Sequence, residues 1–226
     1  FTIILIVLAI GIVGYVLGRR KGAHVAGQSS VKAHSRPTYH GAYVFCWTVV
    51  PSLLLLAAWV SIAPAMIART ADTRIAEAVT EMPLSLARSL VTTLAAGMRA
   101  LPQDEQSGLE GATVAQLQPL FERRGLPLPG GVSDPMIPIA QAINEQAWTS
   151  GVAASIIVPL LALGGLAFAY SRIAVRMRAR NKVESIVKVF LIVCSSIAIL
   201  TTVGIVASML FESIDFFSRV PPSGFF

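Results

Sequence analysis

Charged residues are scarce in this sequence, and they are unevenly spread. They make up 13% of the 226 residues, about half the share found in a typical soluble domain. Four long stretches contain almost no charge, and the charged residues crowd between them. This pattern excludes a soluble protein with an ordinary apolar core and indicates an integral membrane protein.

Cysteine is nearly absent, and the residue sets that build catalytic or metal sites are missing too. Cys46 and Cys194 both fall in apolar segments, where a thiol is normally a small packing residue. His24, His34 and His40 share one basic loop at spacings that match no metal signature, so we expect them to be solvated or to face lipid headgroups. The sequence contains no nucleophile with a base, no paired carboxylates at depth and no phosphate-cradling glycine loop. We therefore expect no enzyme activity, no cofactor and no metal, and we assign no catalytic or substrate-binding residue.

Four apolar segments are long enough to cross a bilayer. They are residues 1–18, 42–68, 148–170 and 183–211. Each approaches or exceeds the ~20 residues needed to cross ~30 Å of hydrocarbon, although the first is at the short end of that range. Because backbone groups in lipid must satisfy one another, each segment is predicted to be helical, with kinks at Pro51, Pro64 and Pro159. A signal peptide is the rival interpretation of the first segment, but its basic residues follow the apolar run instead of preceding it.

The distribution of basic residues predicts the orientation. Loops 19–41 and 171–182 each hold five lysines or arginines and no acidic residue, whereas segment 69–147 holds six arginines and nine acidic residues. The positive-inside rule places both basic loops in the cytoplasm and segment 69–147 in the periplasm. The net charge of +6 is then a topology signal and a contact for anionic lipids. Nucleic acid is not expected as a partner.

Segment 69–147 is predicted to be a small helical periplasmic segment. Thr113 with Gln116 resembles a capping box, and Gly125 is a plausible helix stop. Helix is expected to resume near Ile139, after a loop rich in proline and glycine. Apolar residues earlier in the segment recur at helical spacing, in a stripe bent or interrupted near Pro83: Ile75, Val79, Met82, Leu86, Leu90, Leu94 and Met98.

No strand periodicity and no internal repeat is present, so the predicted fold is all-α, with four transmembrane helices. The expected regions are 1–68, with the first two transmembrane helices and a basic cytoplasmic loop; 69–147, the periplasmic segment; and 148–226, with the third and fourth transmembrane helices and a second basic cytoplasmic loop. The sequence starts within an apolar run and ends in a proline- and glycine-containing stretch. We therefore expect it to be part of a longer protein.

Small and polar residues within the spans predict helix packing. Gly14 and Gly18 form a GxxxG pair, and Ser61 with Ala65 and Gly204 with Ser208 form looser pairs that would allow close helix approach. The hydroxyl residues of the fourth span are expected to bond to the preceding turn or to a neighbouring helix: Ser195, Ser196, Thr201 and Thr202.

The middle of every span lacks Asp, Glu, Lys, Arg and His. Intramembrane ionisable residues normally mark ion and substrate pathways. These four helices are therefore not expected to line a path for a charged solute by themselves. Glu184, Lys188 and Glu212 lie near the ends of the fourth span, where we expect them to anchor the helix.

Several stretches carry a family resemblance. Residues 35–43 read SRPTYHGAY, residues 178–184 read RARNKVE, and residues 199–217 read ILTTVGIVASMLFESIDFF, followed by RVPPSGFF. Together they resemble the N-terminal region of PstC, the C-type permease subunit of bacterial phosphate ABC importers, in its long form with extra N-terminal membrane helices. The resemblance covers essentially the whole chain and is weakest over 69–147.

The resemblance implies an inner-membrane permease subunit of an ATP-driven importer for inorganic phosphate. It also implies a sister A-type permease subunit, cytoplasmic ATPase subunits and a periplasmic phosphate-binding protein as partners. The resemblance further implies that the fourth span leads into the family's transport core, which starts in region 148–226, and that the core's coupling loop to the ATPase lies beyond these residues. Two other interpretations stay open from the sequence, namely a sensor or input module of a signalling receptor and a structural membrane-assembly subunit.

Overall fold

The structure, a computed structural model, describes residues 1–27, 36–80, 82–109, 111–174 and 177–219. Over those ranges the chain forms helices and connecting turns and contains no strand. A 3-10 turn spans Ser107–Leu109, and the α-helices are α1 Thr2–Gly27, α2 Pro37–Ala78, α3 Leu84–Ala100, α4 Gln103–Gln106, α5 Val114–Arg123, α6 Met136–Ser171 and α7 Ala179–Arg219. The all-α prediction is confirmed.

Four of these helices, α1, α2, α6 and α7, are long and apolar enough to cross a membrane. They contain the four apolar segments identified in the sequence, so the prediction of four spans is confirmed. The helices extend beyond those segments because backbone hydrogen bonding continues through the polar residues that flank each apolar run. α2, for example, has 42 residues and is therefore about 63 Å long, roughly twice the thickness of the hydrocarbon layer.

Proline marks the start of one membrane helix and lies inside two. Pro37 begins α2, where its fixed φ suits the first helical turn and its missing N–H costs no hydrogen bond. Pro51 and Pro64 lie inside α2, and Pro159 lies inside α6. The helices continue past all three, and the kinks remain predictions.

The chain divides into two compact units. The first contains Phe1–Ala9 and Val49–Gly164, and the second contains Ile10–Thr48 and Gly165–Phe226. The resemblance segments around Ser35 and after Arg219, together with His34, reach outside the described residues.

The first unit holds a hydrophobic core built by α3, α5, the end of α2 and the start of α6. Phe121 and Leu117 of α5 are fully buried against it, as is Leu94 of α3. Gly97 of α3 lies against the Phe121 ring, and a Cβ there would come within 2.5 Å of Cε1. Full burial of one such aromatic or aliphatic side chain contributes about 1.5–3 kcal/mol, so this core is the main stabilising element of segment 69–147.

The predicted apolar stripe enters this core with one exception. Ile75, Leu94 and Met98 are buried, and Val79, Met82 and Leu90 pack at its edge. Leu86 is half-exposed instead. The break at Pro83, which was predicted, resets the helical phase, so Ala87 and Val91 occupy the buried face of α3.

Local signals determine both ends of α5. The Thr113 N–H donates to Gln116 Oε1 at 3.0 Å, and both halves of the predicted capping box are present. At the other end Gly125 has φ +64°. Its N–H bonds to Glu122 O at 3.1 Å, and the Leu126 N–H bonds to Phe121 O at 2.9 Å. This is the Schellman arrangement that the predicted glycine stop requires.

In the second unit a glycine face of α1 packs on the start of α2. Gly14, Gly18 and Gly22 are buried. A Cβ on Gly18 would lie 2.7 Å from Val44 Cγ2, and one on Gly22 would lie 2.9 Å from the His40 ring. The predicted packing role of Gly14 and Gly18 is therefore confirmed, and the small-residue face extends one turn further.

Candidate functional site

The first unit contains an apolar groove that is roofed by α3. The groove has a volume of about 560 Å³. Its walls come from α2 and α6, with Ile3 of α1 at one side, and they include Trp59, Val60, Ala63, Ala147 and Ala154. The indole N–H of Trp59 donates to Ser150 Oγ at 3.0 Å, which joins α2 and α6 across the groove.

Two arginines tie the roof helix to the two walls. Arg88 donates from Nε and Nη2 to the two carboxylate oxygens of Asp72 on α2, both at 2.6 Å. Arg99 donates to Asn144 Oδ1 on α6 at 2.8 Å, and Asn144 in turn donates to Ala95 O at 2.8 Å. Both arginines line the groove.

The charges of the two arginines are balanced differently. The carboxylate of Asp72 neutralises Arg88, whereas the partner of Arg99 is a neutral amide. Within the part of the chain that the structure describes, no carboxylate forms an ion pair with Arg99. Arg99 is therefore the source of positive potential at the groove.

A second cavity, of about 620 Å³, shares Arg99 with the groove, and its lining is more polar than that of the groove. Two of its amide side chains are occupied with backbone carbonyls: Gln106 Nε2 donates to Leu101 O at 2.6 Å, and Gln141 Nε2 donates to Leu109 O at 2.7 Å. Its charged lining residues are Arg99 and Glu145. One cation beside one carboxylate is a poor arrangement for holding a doubly charged anion.

Of the two adjacent basic residues Arg123 and Arg124, Arg124 is paired with a carboxylate. Arg124 Nη2 bonds to Glu105 Oε1 at 2.5 Å, and Glu122 beside them accepts from Gln118 at 3.0 Å. That segment 69–147 binds no inorganic phosphate of its own stays a prediction.

In the second unit, basic side chains lie on aromatic rings. Lys21 Nζ donates to Tyr170 O at 2.7 Å and lies 4.2 Å from the centroid of that ring. Tyr170 O belongs to the last turn of α6, so the ammonium caps the negative end of this helix. Arg172 lies 5.0 Å from the Phe168 ring, and Phe168 packs against Trp47 with ring centroids 5.3 Å apart. Aromatic rings beneath cations are typical of the membrane–water interface.

The three histidines behave differently from one another. His24 is exposed, as expected. His34 lies outside the described residues. The expectation of a solvated side chain is wrong for His40, which is only 5% exposed and packs against Gly22. His40 is on α2 itself, and the absence of a side chain at Gly22 allows α1 to cover it.

The polar residues of α7 bond locally. Ser196 Oγ donates to Ile192 O at 2.9 Å, and Thr201 and Thr202 both donate to Ala198 O. This confirms the prediction of a bond to the preceding turn for Ser196, Thr201 and Thr202, and for Ser195 it stays a prediction. Glu184 accepts from Arg180 one turn earlier at 2.6 Å.

Sequence reasoning did not find the groove. Its polar roof depends on Arg99 meeting Asn144, 45 residues away, and on Arg88 meeting Asp72, 16 residues away. The available signal was the pair of arginines on one amphipathic helix beside the membrane spans. Within the described ranges, no cluster of three or more His, Cys, Asp or Glu could hold a metal ion.

A comparison with protein families identifies the family of this chain. Residues 4–167 match a family model that is described as a phosphate ATP-binding cassette transporter. The match begins in α1, ends in α6 and does not include α7. No curated protein and no solved structure is significantly similar to the chain.

Proposed function

This chain belongs to the phosphate ATP-binding cassette transporter family, and we propose that it is a membrane permease component of an ATP-driven importer for inorganic phosphate. The observation that carries the proposal is the family match over α1–α6, combined with four helices suited to membrane crossing. The proposed location is the bacterial inner membrane. Both basic loops would face the cytoplasm, and the core of α3 and α5 would face the periplasm.

The proposed role of α1, α2 and α6 is that of a peripheral membrane module. Their spans carry no ionisable side chain at mid-depth, whereas helices that pass a charged substrate need such groups. Instead, the glycines of α1 allow it to pack closely against α2. The partners proposed for this module's parent subunit are a sister A-type permease subunit, ATPase subunits and a periplasmic phosphate-binding protein.

The proposed role of α7 is to dock on the transport core. Its apolar window is 0% buried by the described part of this chain, and large apolar side chains point outward around its whole circumference, among them Phe190, Leu200 and Leu210. A helix that is apolar all round is surrounded by lipid or by other membrane helices. The resemblance implies that α7 leads into the core, which favours helices on at least one side.

Deletion of residues 1–170 from the parent subunit tests this division of roles. Phosphate uptake is measured in ATP-loaded vesicles that contain all partner subunits and is normalised to the amount of assembled complex. We expect less assembled complex and an unchanged preference for phosphate over arsenate and sulfate. A changed preference would mean that the deleted spans line the pathway. If the complex with the undeleted subunit did not transport phosphate, the proposed function would be contradicted.

A further inference from the structure

The groove under α3 has the polarity profile of a membrane lipid. Trp148 begins the third apolar segment and is 67% exposed, as expected for an indole at the membrane–water interface. Asn144, the partner of Arg99, precedes it by one helical turn, or about 6 Å, on the outer side. Ala154 lies six residues into the span, about 9 Å deeper. The guanidinium is thus at headgroup level, and the apolar walls lie at acyl-chain level.

The residues of α6 that line the groove extend from Ile143 to Ala154, over about 16 Å of the helix axis. They are all small or apolar, as a surface that accommodates an alkyl chain should be.

We propose that this groove binds one anionic phospholipid of the outer leaflet, with an acyl chain between α2 and α6 and the headgroup phosphate at Arg99. Arg99 suits this role because its hydrogen-bond partner Asn144 is uncharged, so the guanidinium retains donors for a phosphodiester. Glu145 lines the neighbouring cavity with Arg99 and lowers the positive potential there, which favours a singly charged phosphodiester over a doubly charged phosphate. Arg88 contributes less because it is already paired with Asp72. The proposal requires that these helices span a membrane in the predicted orientation, and it does not depend on which solute is transported.

The three tryptophans of the chain allow a local test. Trp59 lines the groove, whereas Trp47 belongs to the other unit and packs on Phe168. A variant that keeps Trp59 alone carries Trp47→Phe and Trp148→Phe, and a reference variant keeps Trp47 alone. The full 226-residue chain is reconstituted in phosphatidylcholine vesicles. Fluorescence quenching is then titrated with phosphatidylglycerol or phosphatidylcholine brominated at the same acyl position.

We expect Trp59 to prefer the anionic lipid by about fivefold, the factor expected for one basic residue acting on an anionic headgroup. Arg99→Gln should abolish this preference, and Arg99→Lys should retain most of it because the charge remains. Arg69→Gln is the matched control, since Arg69 is exposed on α2 and is not among the groove-lining residues. Trp47 should report no change in any of these variants.

A steric variant tests the position of the acyl chain. Gly151 lines the groove, and a Cβ added there meets no protein atom within 4 Å. Gly151→Leu should therefore fill the groove without disturbing the protein and should reduce quenching of Trp59 by either lipid. Unchanged quenching in this variant would overturn the proposal, as would an anionic preference that survives in Arg99→Gln. Relief of quenching by millimolar inorganic phosphate would assign Arg99 to free phosphate instead of a lipid, and would also overturn it.

Discussion

Two adjacent glycines of α6 have very different surroundings. A Cβ on Gly165 would overlap the backbone carbonyl of Trp47 on α2, whereas a Cβ on Gly164 would meet open space. The contact at Gly165 involves backbone, which cannot rotate away as a flexible side chain can. Close approach of α2 and α6 at this level therefore depends on the second glycine of the pair.

Gly165→Ala is expected to destabilise the protein by about 1–3 kcal/mol, because the added methyl forces the two helices apart. Gly164→Ala is the control and should be neutral, or should stabilise α6 by up to about 1 kcal/mol through higher helix propensity. Thermal melting in detergent, followed by circular dichroism at the helix band, compares the two. Equal melting temperatures for both variants would contradict the packing described here.

An exposed ion pair and a buried ring in the first unit should contribute unequally. The side chains of Arg88 and Asp72 are 50% and 23% exposed, so Asp72→Asn should cost less than about 1 kcal/mol. Phe121 is fully buried, and Phe121→Ala should cost about 3–5 kcal/mol. Denaturant titration with intrinsic fluorescence measures both values. A larger loss for Asp72→Asn would show that the ion pair, not the core, holds α3 in place.

At the scale of helices and turns, the features that were predicted correctly are those that depend on neighbours in sequence. The cap at Thr113, the break at Pro83 and the stop at Gly125 all follow from residues within one turn. The prediction that Leu86 belongs to the buried stripe was wrong because the break changes which face of α3 is buried. The prediction of a solvated His40 was wrong because α1 packs over its side chain. No local sequence pattern indicates that contact.

The turn at Gly125 gives a prediction for α5. Its φ of +64° is costly for any residue with a Cβ, so Gly125→Ala should destabilise the first unit by about 1–2 kcal/mol. Gly125→Asn should lose less, because asparagine tolerates this conformation best among residues with side chains. Gly108→Ala is the control, since a Cβ there meets open space and its φ is not positive. The same melting experiment applies, and equal losses for Gly125→Ala and Gly108→Ala would exclude the turn as the cause.

At the scale of the whole molecule, composition and charge were sufficient to predict an all-helical membrane protein with four spans. They were insufficient for the groove, because its shape arises from contacts that are distant in sequence, such as those of Arg99 with Asn144 and Trp59 with Ser150. The apolar segments of a sequence indicate which helices cross the membrane. They do not indicate which helix faces pack together and which leave a groove.

The predicted orientation can be measured with single cysteines in a chain that lacks Cys46 and Cys194. Gly130→Cys lies in an exposed loop of the first unit, and Ala23→Cys lies on an exposed face of α1. A membrane-impermeant maleimide added to intact spheroplasts should label the first and should reach the second only after permeabilisation. The opposite pattern would reverse the topology and remove the outer-leaflet assignment of the groove.

The core of the first unit also imposes an order on biogenesis. Its buried side chains extend from Ile75, at the end of α2, to Met136, Ile137 and Ala140, at the start of α6. In the proposed topology almost the whole segment must therefore be synthesised and translocated before the core can close. A nascent chain arrested near residue 130 should expose a protease-sensitive loop on the periplasmic face, whereas one that extends beyond α6 should resist digestion. Folding of the core would then prevent the translocated segment from moving back across the membrane.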